Sequence, residues 1–122
     1  MLELCYKSEK LRTLCTTPKA ARRFFGGDNE LAMRLLACIN ALHNAETLSD
    51  IIAVPRYRFH PLGKKQRDFR GCYAIDIKGR TSPWRLILLP LDENGNPMDE
   101  SIDRIARRIK VLKIMEVSKH YE

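Results

Sequence analysis

The chain has 122 residues, 44% of them apolar and 30% charged, and its 22 Lys and Arg outnumber 15 Asp and Glu for a formal net charge of +7. That is the size of one ordinary domain, residues 1–122, able to bury roughly two thirds of its unfolded surface; the mixture excludes a disordered chain and a fold that needs staples. Apolar runs fall short of the roughly 18 residues of a membrane span, and the start mixes Glu3, Lys7, Glu9 and Lys10 without a signal-peptide core, so a cytoplasmic protein with no membrane contact is expected.

Residues 2–6 read as a short strand, and Ser8 as the start of a brief helical turn. Thr17-Pro18 is a cap followed by a proline at the one helical position where its missing N–H costs nothing, which predicts a helix from about Pro18 to Phe25, stopped by Gly26-Gly27. Asp28 or Asn29 caps the next helix, whose Leu31, Leu35, Cys38, Ile39 and Leu42 recur at three- and four-residue steps and form a core stripe. Thr47-Leu-Ser-Asp50 fits a capping box ahead of Ile51-Ile52, and Pro55 ends that short helix.

From Tyr57 the period changes to two. In Tyr57-Arg58-Phe59-His60 the rings point one way, while Arg58 and His60 point the other. After a tip from Gly63 to Gly71, residues 72–78 place Tyr73, Ile75 and Ile77 on one side. Residues 79–83 read as a hairpin connection and Trp84 to Leu89 as an interior strand closed by Pro90. Asp92 to Pro97 is a turn, residues 99–108 fit either a solvated helical turn or a mobile connection, and Ile109 to Val117 is the last strand. Strand, helices, then mostly antiparallel strands predict an α+β fold.

The charge is unevenly spread. Residues 51–90 hold Arg56, Arg58, Lys64, Lys65, Arg67, Arg70, Lys78, Arg80 and Arg85 against only Asp68 and Asp76. Such crowding is costly unless a counter-charge is met, which points to nucleic acid, to an acidic protein partner, or to a merely solubilising face. The cysteines Cys5, Cys15, Cys38 and Cys72 lie far apart, without metal-ligand spacing, and read as small buried hydrophobes; no metal or other cofactor is expected.

No phosphate loop, carboxylate pair or Ser-His-Asp set is legible. What remains are His60, His120, Tyr73, Tyr121 and the cations, a set sufficient for metal-independent RNA cleavage: a base takes the 2′-hydroxyl proton, cations stabilise the phosphorane and an acid protonates the leaving 5′-oxygen. His60 is an accessible proton-transfer group or a structural histidine, His120 a second such group or a frayed end, with their acid and base roles left open, and Arg85 is a cleft cation or an internal ion-pair partner. His43 reads as a helix-end or surface residue. Arg58, Lys64, Lys65, Arg67, Arg70 and Lys78 are most simply phosphate contacts.

Phe59-His60-Pro61-Leu62-Gly63, then Tyr73 to Arg80, Trp84-Arg85-Leu86-Ile87 and the ending Met115 to Glu122, resemble the RelE/ParE toxin superfamily, and within it the HigB-type plasmid maintenance system killer proteins of type II toxin-antitoxin modules, over nearly the full length. The resemblance implies a microbial-RNase-like fold, helices on one face of a twisted sheet and a basic cleft on the other. It implies a toxin that cuts messenger RNA on the ribosome, neutralised by a cognate antitoxin, often a helix-turn-helix DNA-binding protein through which the pair reaches promoter DNA. Carried over, His60, Arg80, Arg85 and His120 match the family's functional positions. The family often ends in Asp-Tyr-His where this chain has Lys119-His120-Tyr121, so Tyr121 stays beside His120 as a candidate. ParE-like members act on gyrase and do not cleave RNA, which leaves a gyrase inhibitor or a basic RNA-binding module as the alternative.

Overall fold

Ser8 opens the first helix by accepting a hydrogen bond from the Leu11 N–H (3.1 Å), and strand β1 (Glu3–Tyr6) runs directly into that helix, α1 (Glu9–Thr16). The structure, a computed structural model, describes residues 1–62, 70–98 and 100–119. With two full turns, α1 is longer than the expected brief turn, and it buries Leu11 and Cys15. The expected side-chain cap of Thr17 is not made. Thr17 instead closes α1 through its N–H to the Thr13 carbonyl (3.0 Å), and α2 (Pro18–Phe24) starts on the proline. Asp28 caps α3 (Asn29–Asn44) by accepting from the Leu31 N–H (3.1 Å), and the stripe Leu31, Leu35, Cys38, Ile39 and Leu42 is buried as expected. The Asp50 carboxylate reaches back to the N–H groups of Glu46 (3.0 Å) and Thr47 (3.5 Å) at the start of α4 (Leu48–Ile52).

The five strands β1, β2 (His60–Pro61), β3 (Tyr73–Asp76), β4 (Trp84–Leu91) and β5 (Val111–Lys119) form one sheet in the order β1-β5-β4-β3-β2. β1 pairs parallel to β5 and every other pair is antiparallel, so the fold is α+β with a mostly antiparallel sheet. Ile75, Ile77, Leu86, Leu88, Leu112 and Ile114 meet the helices in the main core, while Cys72, Ala74 and Ile87 form a smaller cluster with Leu62, Leu89 and Met115. Phe24 and Phe25 at the end of α2 pack edge-on against Trp84 (centroids 5.6 and 4.9 Å), tying the helices to the start of β4.

Some expectations are corrected. Residues 57–60 are not a strand: Pro55–Tyr57 is a 3₁₀ turn and Arg58 ends it in the left-handed region (φ 45°), leaving only His60 and Pro61 to pair. Pro55 sets the helical φ at the turn's start, which overrides the alternation. Pro90 does not close β4, which runs to Leu91; the last β3 partner is Tyr73 opposite Leu88, so Pro90 lies beyond the reach of β3 and no ladder bond is lost on that side. Of the two readings of residues 99–108, the helical turn is the one found, as α5 (Ile102–Ile105), anchored by the buried Ile105. β5 starts and ends two residues later than expected. Among the described residues, no helix is long and apolar enough to cross a membrane.

Cys15, Cys38 and Cys72 are buried thiols and Cys5 is half-buried, all of them free. Burial pushes the Cys15 thiol up to about 12 and those of Cys38 and Cys72 up to about 11, from the ordinary 9.0. The folded chain therefore keeps protons that the unfolded chain gives up. Their contribution to stability is complete below about pH 9 and is lost as pH rises through the folded values of about 11 to 12. Thermal melts taken across that window should show Cys15→Ala to be less stable than wild type at neutral pH, yet with a shallower alkaline loss of Tm.

Candidate functional site

Strand register places a polar group on the sheet face opposite the helices. His60 pairs with Ala74, Ala74 with Ile87 and Ile87 with Glu116, which makes one cross-strand row; Asp76, Arg85 and Ser118 make the next. β5 carries one extra residue between its partners of Ile87 and Leu88, a bulge at Met115 that puts Glu116 and Ser118, rather than Val117 and Lys119, on this face. With Met115 skipped, Lys119 stands opposite Trp84 and lays its ammonium over that ring (4.9 Å).

Asp76 is the centre of the group and is 1% exposed. Arg58 meets it with two nitrogens, Nε to Oδ2 at 2.8 Å and Nη2 to Oδ1 at 3.3 Å. Arg85 Nε stands 3.0 Å from Oδ1, and Arg85 Nη1 donates to the carbonyls of Ser82 and Trp84 (the latter 2.9 Å). Two guanidinium groups on one carboxylate leave one surplus positive charge. A buried carboxylate would be costly alone; here it is held as an ion by charge-assisted bonds.

His60 is half-buried at the neighbouring row. Its Nδ1 lies 2.5 Å from the Arg58 carbonyl. A carbonyl only accepts, so Nδ1 carries the hydrogen and, in the neutral ring, the lone pair is on Nε2. Among the described residues, Nε2 is buried without a hydrogen-bond partner, and so is Glu116 Oε2 at the other end of the same row, three strands away. Leaving such an acceptor unmet costs about 1–3 kcal/mol.

The other expected residues divide. Arg85 is the internal ion-pair partner of the two alternatives, because at 2% exposure its guanidinium is held by Asp76 and two carbonyls. Arg58 is also bound to Asp76 and only a third exposed, which makes it a positioning residue before it is a phosphate contact. Arg80 is exposed in the turn between β3 and β4, and Arg70 is exposed ahead of β3. Lys78 leaves this face altogether, pairing with Glu30 of α3 at 3.5 Å. The described cations of the middle segment are therefore not gathered on one wall. Lys64, Lys65, Arg67, His120 and Tyr121 lie outside the described residues.

Asp76 was not among the expected site residues. Its signal was available: the alternation Tyr73, Ile75, Ile77 puts position 76 on the opposite face, where a carboxylate flanked by apolar strands needs a cation across the ladder. Tyr73, its hydroxyl pKa raised first by burial and then by Asp103, stacks on Phe59 (4.8 Å, 15° between planes) and braces β2 against β3. Comparison with protein-family models, with curated proteins and with solved structures finds no match for this chain.

Removing only the anion leaves Arg85 charged in the interior. Asp76→Ala should cost about 3–5 kcal/mol in urea unfolding, whereas Asp76→Leu combined with Arg85→Met should be less destabilised than Asp76→Ala alone.

Proposed function

We propose that this chain is the toxin of a type II toxin-antitoxin module, a HigB-like member of the RelE/ParE superfamily that cuts messenger RNA on the ribosome. The observation that carries the reading is His60: a half-buried imidazole with Nδ1 tied to a carbonyl and a buried acceptor at Nε2 that has no hydrogen-bond partner among the described residues, beside an ion cluster with surplus positive charge. In this reading Nε2 takes the proton of a ribose 2′-hydroxyl, whose oxygen attacks the adjacent phosphorus. The bond to the 5′-oxygen breaks, leaving a 2′,3′-cyclic phosphate, and an acid returns a proton to that oxygen. His120 or Tyr121, which follow Lys119 in sequence, is proposed as the acid, and Arg80 as a cation on the phosphorane. Arg85 acts through Asp76 by positioning Arg58 rather than by touching the phosphate. The reaction as proposed needs no metal.

The antitoxin has a proposed seat. A groove of about 760 Å³ runs between α1, α2 and the end of β5, with Leu11, Leu14, Phe24 and Val117 as its apolar lining and Lys7, Lys10 and Arg23 among its cations. Phe24 is 44% exposed there. Beyond Ile114, β1 no longer pairs with β5, so the strand's backbone edge borders the same groove. An apolar segment carrying acidic residues suits both features.

Expression in bacteria without an antitoxin should arrest growth and yield transcripts cut within codons. His60→Ala should lower cleavage by about 10²–10⁴-fold with its melting temperature retained. Growth arrest with intact transcripts and inhibited supercoiling would instead support the gyrase-directed alternative; harmless expression would overturn both.

A further inference from the structure

Three cations from three separate elements converge at the far end of β3, away from His60. Arg34 comes from α3, Arg56 from the 3₁₀ turn and Lys78 from the residues just after β3, and together they line a pocket of about 190 Å³. Its remaining lining includes the buried Cys38 and Tyr57, the backbone at Gly79, and Asp76. Asp76 is the one acid there among the described residues, and Arg58 and Arg85 more than cancel it. Arg56 is held in place by its contact with Tyr57, its guanidinium 5.2 Å from the ring centroid and Nη2 3.4 Å from the hydroxyl. Lys78 shares its charge with the exposed Glu30. Arg34 has no ion-pair partner among the described residues.

Cations from distant parts of a chain that meet in one recess repel one another unless an anion is expected. The recess is small, with both polar and apolar atoms in its lining and room for a single phosphate group and a few waters, each water taking about 30 Å³. An Asp or Glu carboxylate is no larger than a phosphate group, so it is continuity that favours a phosphodiester backbone over an acidic peptide. Arg56 and His60 are four residues apart on either side of Arg58, and β2 covers β3 only at Tyr73 and Ala74, so among the described residues the β3 edge from Ile75 to Ile77 joins the two places.

We infer that Arg34, Arg56 and Lys78 form a phosphate-binding pocket that holds the backbone of an RNA strand away from His60. The inference rests on the RNA-binding half of the function proposed above and needs no cleavage. Each cation lost should release one fewer counterion, without regard to sequence.

The test is fluorescence anisotropy of a short labelled single-stranded RNA, titrated with the whole protein over a range of salt. Arg34→Gln combined with Arg56→Gln should weaken binding about tenfold and lower the slope of log affinity against log salt by about 1.4, two contacts at roughly 0.7 each for single strands. Lys19→Gln combined with Arg22→Gln, on the exposed side of α2, removes the same charge elsewhere and should move both quantities less. All four side chains are exposed, and matched melting curves confirm that the fold is kept. Equal losses in the two double variants would overturn the pocket while leaving His60-dependent cleavage untouched. An absence of measurable RNA binding by the wild-type protein would overturn it as well. A selective loss in the pocket variant together with uncut transcripts would uphold the pocket and sink the nuclease reading.

Discussion

A carboxylate with no exposed side-chain surface, Asp76, lies between two guanidinium groups, and the rest of the site hangs from that contact. Arg58 gives its side chain to Asp76 and its carbonyl to His60 Nδ1, so the residue that neutralises the buried anion also sets which imidazole nitrogen carries the hydrogen. To do both, Arg58 adopts a left-handed backbone (φ 45°) that costs a non-glycine residue about 1–2 kcal/mol. The ion pair supports that conformation from one side, and the stacked Phe59 and Tyr73 support it from the other. Buried ion pairs seldom add much net stability over an apolar replacement, but breaking one strands a charge, so Asp76 ties Arg58, and with it the entry of β2, to the sheet.

Much of the architecture was legible because it is written in local rules. The α3 stripe, the Asp28 cap and the Gly26-Gly27 stop depend on residues within a few positions of one another, and they appear where their spacing puts them. The failures share a cause. Tyr57 to His60 alternates like a strand, but the proline two residues earlier and the distant Asp76 decide its backbone, and neither enters a period-two count. Pro90 reads as a terminator only if the neighbouring strand is assumed to be as long as its own. The bulge at Met115 leaves no mark in composition because apolar residues occupy both parities of β5.

The candidate site was legible in part. His60 was found through its place on the polar side of an aromatic pair, and its neighbour Arg58 through the same alternation. Arg85 was visible as a cation inside an apolar strand, but whether such a residue faces solvent or an ion partner depends on the cross-strand residue, and that is a matter of register. The cationic block behaves likewise. Its members are close in sequence, yet the turn after Val54 and the end of β3 send Arg56 and Lys78 to the helix side while Arg58 and Arg85 are spent on Asp76. Charge density along a chain reports how much positive potential a molecule carries, and the fold decides how it is divided.

The parallel pairing of β1 with β5 joins Glu3 to Val111 and Tyr6 to Ile114, contacts between nearly opposite ends of the described chain. Contacts so distant are slow to form, because the intervening loop must close before they return any energy. During synthesis the first strand therefore waits without a neighbour until residues past 111 have left the ribosome, while α1 to α3 are able to associate early. The ordered face that carries His60 is therefore complete only once β5 has taken its place between β1 and β4.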